Sequence, residues 1–147
     1  MLDTLSAVLA SKGHTVHSVS PTATVLEAVR KMNEERIGAL LVCADDDVDG
    51  IYSERDVLIR VVDEGRDPNA TTVADVMTRE LVAVKPSMTV EEAMAVVTDR
   101  RCRHLPVMDG SHVVGLVSIG DLTRWVSRNQ EIHIQDLVNL ITDRYPR

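Results

Sequence analysis

The sequence contains an internal repeat: residues 19–61 align without a gap with residues 84–126 when one copy is shifted by 65 positions. Gapless agreement over such a span is hard to obtain by chance and favours two copies of one structural unit. A unit of about 50 residues buries too little apolar surface to be stable alone, so the two units are expected to pack together. The matched identities include Val19/Val84, Pro21/Pro86, Thr24/Thr89, Val25/Val90, Glu27/Glu92, Ala28/Ala93, Gly50/Gly115, Ser53/Ser118 and Asp56/Asp121.

Each copy predicts the same order of elements, strand–helix–strand–strand–helix, which makes the fold class α+β. A short extended piece ends at a proline in both copies, and proline favours extended backbone in the residue before it. Thr24 and Thr89 each stand three residues before a glutamate, as in a capping box, and apolar residues follow at helical spacing. Two strand-length apolar stretches and a second helix complete each unit.

Three further segments flank the repeat. Residues 1–15 are predicted to form a helix closed by Gly13, residues 67–80 a linker with a short helical turn, and residues 130–147 a helix with one apolar face. The repeated units then occupy residues 16–66 and 81–129. The apolar face of the last segment suits either covering the core or contacting a second subunit, and we expect a homodimer.

Composition and charge narrow the function classes. The net charge of −7 disfavours nucleic acid as a partner, because such binding draws its affinity from Lys and Arg. No leader peptide is evident and no apolar run approaches the roughly 18 residues of a membrane span, so we expect a cytoplasmic protein without membrane contact. Cys43 and Cys102 lie in apolar runs and are interpreted as free thiols. No Cys/His cluster indicates a metal site, and the acidic residues 45–49 are interpreted as a solvated turn.

A Ser-x-x-Asp motif opens the last helix of each copy, as Ser53/Asp56 and Ser118/Asp121. By its spacing alone, it is a helix cap. A glycine three residues before each serine, and the use of aspartate where the Thr-initiated caps use glutamate, favour a bound ligand. A short carboxylate at a strand–helix junction can accept hydrogen bonds from both hydroxyls of a ribose, and the free N–H groups of the helix start suit a phosphate. The motif is therefore compatible with a nucleotide site and with a simple cap.

The stretches "SVSPTATVLEAVRKMNEERIGALLV…GIYSERDVL" and "AVKPSMTVEEAMAVVTDRRCRHLPVMDG…VVGLVSIGDLT" resemble a tandem pair of cystathionine β-synthase (CBS) domains. The resemblance covers about three-quarters of the chain, from residue 16 to residue 128. It implies two β-α-β-β-α modules packed with pseudo-twofold symmetry. Because little else accompanies the pair, the resemblance also implies a small stand-alone sensor that is not an enzyme.

The same resemblance implies two adenine-nucleotide clefts, each with its Ser-x-x-Asp from one module and its adenine-facing residues from the other. Asp56 or Asp121 would accept hydrogen bonds from the ribose, and the serines would lie near the ribose and the phosphate. The first implied cleft contains Ser53, Arg55, Asp56, Leu81, Val82, Cys102, His104 and Pro106. The second contains Val16, His17, Ile37, Gly38, Ala39, Ser118 and Asp121.

The two implied clefts are expected to differ. Arg55 stands beside Asp56, where it could donate charge-assisted hydrogen bonds to a phosphate, whereas Gly120 holds the matching place beside Asp121. One arginine favours AMP or NAD(H) among the adenosyl ligands, which also include ADP, ATP and S-adenosylmethionine. No nucleophile–base pair or glycine-rich phosphate loop supports an enzyme, and no obligatory cofactor is predicted. The alternative is a structural dimerisation module whose motifs are only caps, and the sequence does not name a regulated partner.

Overall fold

The computed structural model describes residues 3–129, so the helix predicted at 130–147 lies outside the described residues. The described chain confirms a mixed fold of helices and small sheets in which the repeat recurs. The first helix of each repeat, the hairpin after it and the second helix all form as the sequence predicts. The elements are α1 (Leu5–Lys12), β1 (Ser18–Val19), α2 (Val25–Glu35), β2 (Ala39–Ala44), β3 (Asp47–Ser53), α3 (Glu54–Val57) with its π-helical continuation (Leu58–Val62), α4 (Val73–Val76), α5 (Val90–Arg100), β4 (His104–Asp109), β5 (His112–Ser118) and α6 (Ile119–Asn129).

The two hairpins share one register. Ala39 pairs with Ser53 in the first hairpin, and His104 pairs with Ser118 in the second. Each pairing shifts at the matching point, after Val42 in one copy and after Val107 in the other. The shared register brings both Ser-x-x-Asp motifs to the same end of their hairpins, at the start of α3 and α6.

The first strand of each module differs between the copies. In the first module β1 pairs in parallel with β2, and the Leu41 N–H donates to His17 O at 3.1 Å. In the second module the extended piece is reduced to a single bridge between Val84 and Val107. Pro106 stands where the first copy has Leu41, and proline has no N–H to donate, so the parallel pairing cannot extend there.

Helix ends follow the local chemistry of the sequence. Thr24 and Thr89 each accept a hydrogen bond at 3.1 Å from the backbone N–H three residues on. Of these two threonine caps, Thr89 also has the reciprocal bond of the capping box, because Glu92 reaches back to the Thr89 N–H, whereas no such bond is seen at Thr24. Both helices end at an arginine in the left-handed region, Arg36 at φ 55° and Arg101 at φ 53°. The chain therefore turns into the hairpin in the same way in both modules.

Each module completes its core with a segment from outside the repeat. The second module buries Leu5, Val8 and Leu9 of α1, and the first module buries Val73 and Val76 of α4. Both segments pass close to a strand at a glycine. A Cβ on Gly50 would lie 2.6 Å from the Thr78 carbonyl oxygen, and one on Gly115 would lie 2.5 Å from Leu9 Cδ2. The close approach expected at these glycines is thus made by the chain itself.

Candidate functional site

A cavity with a volume of about 950 Å³ lies between the modules, and we refer to it as the larger cavity. The start of α3 and residues 81 and 82, which precede α5, supply part of its wall, and the start of β4 supplies the opposite part. All eight residues of the first predicted cleft line this cavity: Ser53, Arg55, Asp56, Leu81, Val82, Cys102, His104 and Pro106. The fold thus brings together residues that are up to 53 positions apart in the chain.

The carboxylate of Asp56 is held by neutral donors. Its Oδ2 accepts hydrogen bonds from Ser53 N at 3.0 Å and from Ser53 Oγ at 3.2 Å, which completes a capping box. Its Oδ1 accepts a bond from Thr78 Oγ1 at 3.0 Å, and Arg60 Nε lies 3.8 Å away. A carboxylate has about four acceptor positions, so one remains on Oδ1 even with every bond in place. The motif is therefore a cap that keeps acceptor capacity toward the cavity.

Thr78 and Arg60, which contact Asp56, were not among the predicted site residues. Arg60 lies one helical turn after Asp56, a spacing that the sequence displays and that predicts contact on a helix. Thr78 follows α4 in the linker, 22 residues from Asp56, and no local pattern connects the two. Only the antiparallel bridge between Thr78 and Ile51 brings it to the carboxylate.

Arginines dominate the charge of the larger cavity. Arg55, Arg100, Arg101 and Arg103 line it, and none of these four makes an ion pair within residues 3–129. With Arg60, five arginines face three lining carboxylates, Glu54, Asp56 and Glu80. The cavity is therefore locally positive in a chain whose net charge is −7. Sequence analysis counted only Arg55, although the "RRCRH" stretch carries the other three.

The second cavity is smaller, at about 250 Å³, and lies at the start of α6. It brings together all seven residues of the second predicted cleft: Val16, His17, Ile37, Gly38, Ala39, Ser118 and Asp121. Lys12, Arg36 and Arg124 also line it, none of which was predicted.

Asp121 in the smaller cavity is bound by two cations. Lys12 Nζ lies 2.6 Å from its Oδ2, and Arg124 Nη2 lies 2.6 Å from its Oδ1. Ser118 N donates to Oδ2 at 2.9 Å. Burial by itself raises the pKa of Asp121, but the bonds from Lys12 and Ser118 outweigh it and hold the pKa below its usual value. The carboxylate is therefore ionised and already neutralised by the chain.

His104, Gly38 and Ser118 line both cavities. Burial lowers the pKa of His104, and the opposing effect of the negative Asp121 is smaller. The imidazole is therefore neutral at neutral pH, so it contributes hydrogen bonding and no charge to the wall that the cavities share.

The two cysteines are free and half-buried. Burial raises the pKa of both the Cys43 and the Cys102 thiols, so both are protonated at neutral pH. Cys102 lines the larger cavity as a small apolar group.

Within residues 3–129 no three His, Cys, Asp or Glu side chains are grouped in a way that could hold a metal ion. Over the same residues, no helix has the length and apolar character needed to cross a membrane.

Comparison with known proteins agrees with this architecture. The CBS domain family matches the chain twice, at residues 13–63 and 73–128. The CBS domain-containing protein CBSX3, mitochondrial, of Arabidopsis thaliana is 36% identical over 97% of this chain and 73% of its own length.

Solved structures agree as well. A putative signal-transduction protein with CBS domains from Burkholderia ambifaria is 42% identical, with a TM-score of 0.83 over 86% of this chain and 96% of that one. A hexameric CBS-CP12 protein from bloom-forming cyanobacteria is 28% identical, with a TM-score of 0.76 over 84% and 67% of the two chains. The repeat, the two modules and these matches together show that the chain belongs to the CBS domain family and is a tandem CBS pair, which is generally a regulatory module.

Proposed function

We propose that this CBS pair is a non-catalytic sensor that binds an adenine nucleotide in the larger cavity and signals to a partner protein through a change in module packing. One observation carries the proposal: a buried carboxylate, Asp56, lies on the same cavity as four arginines without an ion pair in residues 3–129. A ribose needs the first feature, and phosphates need the second.

The remaining lining suits the base. Leu81 and Val82, between α4 and α5, and Pro106 on β4 present aliphatic surface to the cavity. A flat base can lie between aliphatic groups and take its polar contacts from backbone N–H and C=O groups. This arrangement needs no aromatic side chain, in agreement with a chain that contains only one Trp, two Tyr and no Phe.

The arginines favour more than one phosphate. Sequence analysis favoured AMP or NAD(H) because it counted a single arginine beside Asp56. Arg100, Arg101 and Arg103 line the same cavity, and its volume of about 950 Å³ lies at the upper end of the usual range for ligand sites. We therefore favour ATP, ADP or NAD(H) over AMP as the ligand of this cavity.

Signalling follows from the position of the cavity between the modules. A ligand that contacts Asp56 on one side and Arg103 on the other favours the arrangement in which both contacts are made. The equilibrium between two arrangements shifts only by the difference in ligand affinity between them. The contacts that differ are those across the cavity, so the regulated partner would respond to the relative position of the two modules.

A thermal-shift screen tests the proposal. AMP, ADP, ATP, NAD, NADH and S-adenosylmethionine are each added, and a ligand at 100 times its Kd adds about 2.7 kcal/mol to the free energy of unfolding. We expect ATP, ADP or NAD(H) to raise Tm most, with no hydrolysis of the bound nucleotide over hours.

The matched control is 2′,3′-dideoxy-ATP, which keeps the base and phosphates but lacks the ribose diol. It should raise Tm much less than ATP. If no ligand changes Tm, the alternative of a structural dimerisation module with simple caps gains support. Steady hydrolysis would contradict the non-catalytic part of the proposal.

We also propose that the chain forms a homodimer through the helix after the first Ser-x-x-Asp motif. Leu58 and Val62 lie about one helical turn apart and are 63% and 65% exposed. Exposed apolar side chains at this spacing are typical of a face that another helix covers. The predicted contact through 130–147 lies outside the described residues.

The dimer is tested by Val62→Asp. An unpaired carboxylate in an apolar interface is costly, so we expect the mass from light scattering to fall from dimer to monomer. Arg66→Asp, on the exposed end of the same segment, is the control and should stay dimeric. A monomeric native chain, or an unchanged dimer in Val62→Asp, contradicts this interface.

A further inference from the structure

The two segments from outside the repeat reach the two matching carboxylates in the same way. The segment after α4 crosses β3 at Gly50 and places Thr78 on Asp56. Helix α1 crosses β5 at Gly115 and places its last residue, Lys12, on Asp121. A neutral hydroxyl thus contacts one carboxylate, and an ammonium group contacts the other.

Lys12 is held firmly in this position. Leu5, Val8 and Leu9 of its helix are at most 2% exposed, in the core of the second module. The N-terminal end of the helix is tied down by a bond from Leu5 N to Met88 O at 2.8 Å. At the other end Lys12 Nζ donates to Leu116 O at 2.7 Å as well as to the carboxylate. The ammonium group is therefore positioned by a packed helix.

The carboxylate of Asp121 has little capacity left for a ligand. Lys12 and Ser118 occupy its Oδ2, and Arg124 holds its Oδ1. A carboxylate has about four acceptor positions in all, and a ribose diol needs two of them in a suitable geometry. Three positions are occupied at Asp121, as at Asp56, so one donor must move before a diol can bind either carboxylate. At Asp56 that donor is a neutral hydroxyl, of Ser53 or Thr78, which needs only to rotate. At Asp121 it is a cation, which must break an ion pair. The cation-bound cavity is also the smaller one, at about 250 Å³ against about 950 Å³.

We infer that Lys12 is the residue that determines which cleft accepts a nucleotide: its ammonium group occupies the ribose-binding position of the second cleft and leaves the first cleft as the binding site. This inference rests on the proposed nucleotide binding and assigns it to one of the two clefts that carry a Ser-x-x-Asp motif. It also makes α1 a competitor of the nucleotide, because a ligand enters the second cleft only when Lys12 leaves Asp121.

The test isolates the second cleft. Asp56→Asn removes the ribose acceptor of the first cleft, and Lys12→Met is then added, which keeps the length of the aliphatic stem and removes the charge. The probe is AMP, followed by isothermal titration calorimetry at constant ionic strength. We expect Lys12→Met to tighten AMP binding by at least about tenfold in this background, a gain of about 1.4 kcal/mol. In the chain with Asp56 intact, Lys12→Met should raise the stoichiometry from one AMP to two.

Two controls accompany the test. Lys85→Met removes an exposed lysine on another part of the second module and should leave AMP binding unchanged. Lys12→Arg retains a cation and should keep the second cleft closed. Thermal unfolding of each variant confirms that it is folded. The pKa of the Asp121 carboxyl, followed by NMR without any nucleotide, should rise in Lys12→Met because a hydrogen bond to the ionised form is lost.

The possible results separate the inference from the proposed function. Weaker AMP binding in the Lys12→Met, Asp56→Asn chain would make Lys12 a phosphate ligand and overturn the inference, while binding at Asp56 would stand. Two equal sites in the native chain, or an unchanged Asp121 pKa in Lys12→Met, would also overturn it. If the native chain binds none of AMP, ADP, ATP, NAD and NADH, the proposed function fails and the inference fails with it.

Discussion

Asp56→Asn should weaken ATP binding by about 100-fold or more, whereas Asp121→Asn should change it by less than about threefold. A hydrogen bond to a charged group contributes about 1.5–3 kcal/mol, and a ribose diol makes two of them to the carboxylate once a Ser53 or Thr78 hydroxyl has rotated away. The amide keeps the volume of the side chain but loses the charge and one acceptor oxygen. Asp121 is already bound by Lys12 and Arg124, so its loss removes no site that ATP uses. Isothermal titration calorimetry at constant ionic strength measures both effects.

A helix-cap role alone would give a different result. Asp56 also accepts bonds from Ser53 and Thr78, so the asparagine variant should lose about 1–2 kcal/mol of stability whether or not a ligand binds. The comparison that separates the roles uses 2′,3′-dideoxy-ATP. The native chain should prefer ATP strongly over the dideoxy compound, and Asp56→Asn should bind the two equally. A variant that keeps the native preference would show that another group contacts the ribose.

Gly50→Ala should lower the free energy of unfolding by about 3 kcal/mol, the upper part of the range for overpacking a core. The added Cβ would lie 2.6 Å from the Thr78 carbonyl oxygen and 2.9 Å from Met77 Sδ. Thr78 cannot move away cheaply, because its N–H and C=O both bond to Ile51 at 2.9 Å. Urea unfolding measures the loss. ATP affinity should fall as well, since displacement of Thr78 disturbs the carboxylate of Asp56.

Gly115→Ala is the matched control from the second copy. There the new Cβ would meet the Leu9 side chain at 2.5 Å and 2.8 Å, and the end of a side chain can rotate where backbone cannot. We expect a smaller loss, about 1 kcal/mol, with ATP binding unchanged. Equal losses in the two variants, or a larger loss in Gly115→Ala, would show that the bridge at Thr78 does not hold the linker rigidly.

The composition of the two cavities followed from the sequence to a large extent, because each cavity is built from one repeat's helix start and the other repeat's strand start. The family resemblance implies one set of residues for each cavity, and the shift of 65 positions relates most members of the two sets, for example His104 to Ala39. All predicted residues do line the two cavities. Whether these residues bind a nucleotide remains a prediction, and the titrations above decide it.

The close approach predicted at the two glycines is present, but its cause is different from the predicted one. Gly50 and Gly115 each stand three residues before the motif serine, and the sequence suggested that a ligand approaches them. In the fold, Thr78 and Leu9 approach them instead. A glycine in a strand indicates that another group lies close to the backbone, but the sequence does not show whether that group is a ligand or another part of the chain.

The sequence by itself determined the number of modules, their helix caps and the place of both motifs. These features depend on apolar periodicity and on bonds between residues three or four apart, which a chain displays directly. Only the tertiary structure decided what each carboxylate contacts. Thr78 reaches Asp56 over 22 residues, and Lys12 reaches Asp121 over 109. Such contacts depend on how the linker and α1 cross the sheets, which no local spacing in the sequence predicts. The two motifs are similar, yet Asp56 has a neutral partner in Thr78 and Asp121 has a charged partner in Lys12.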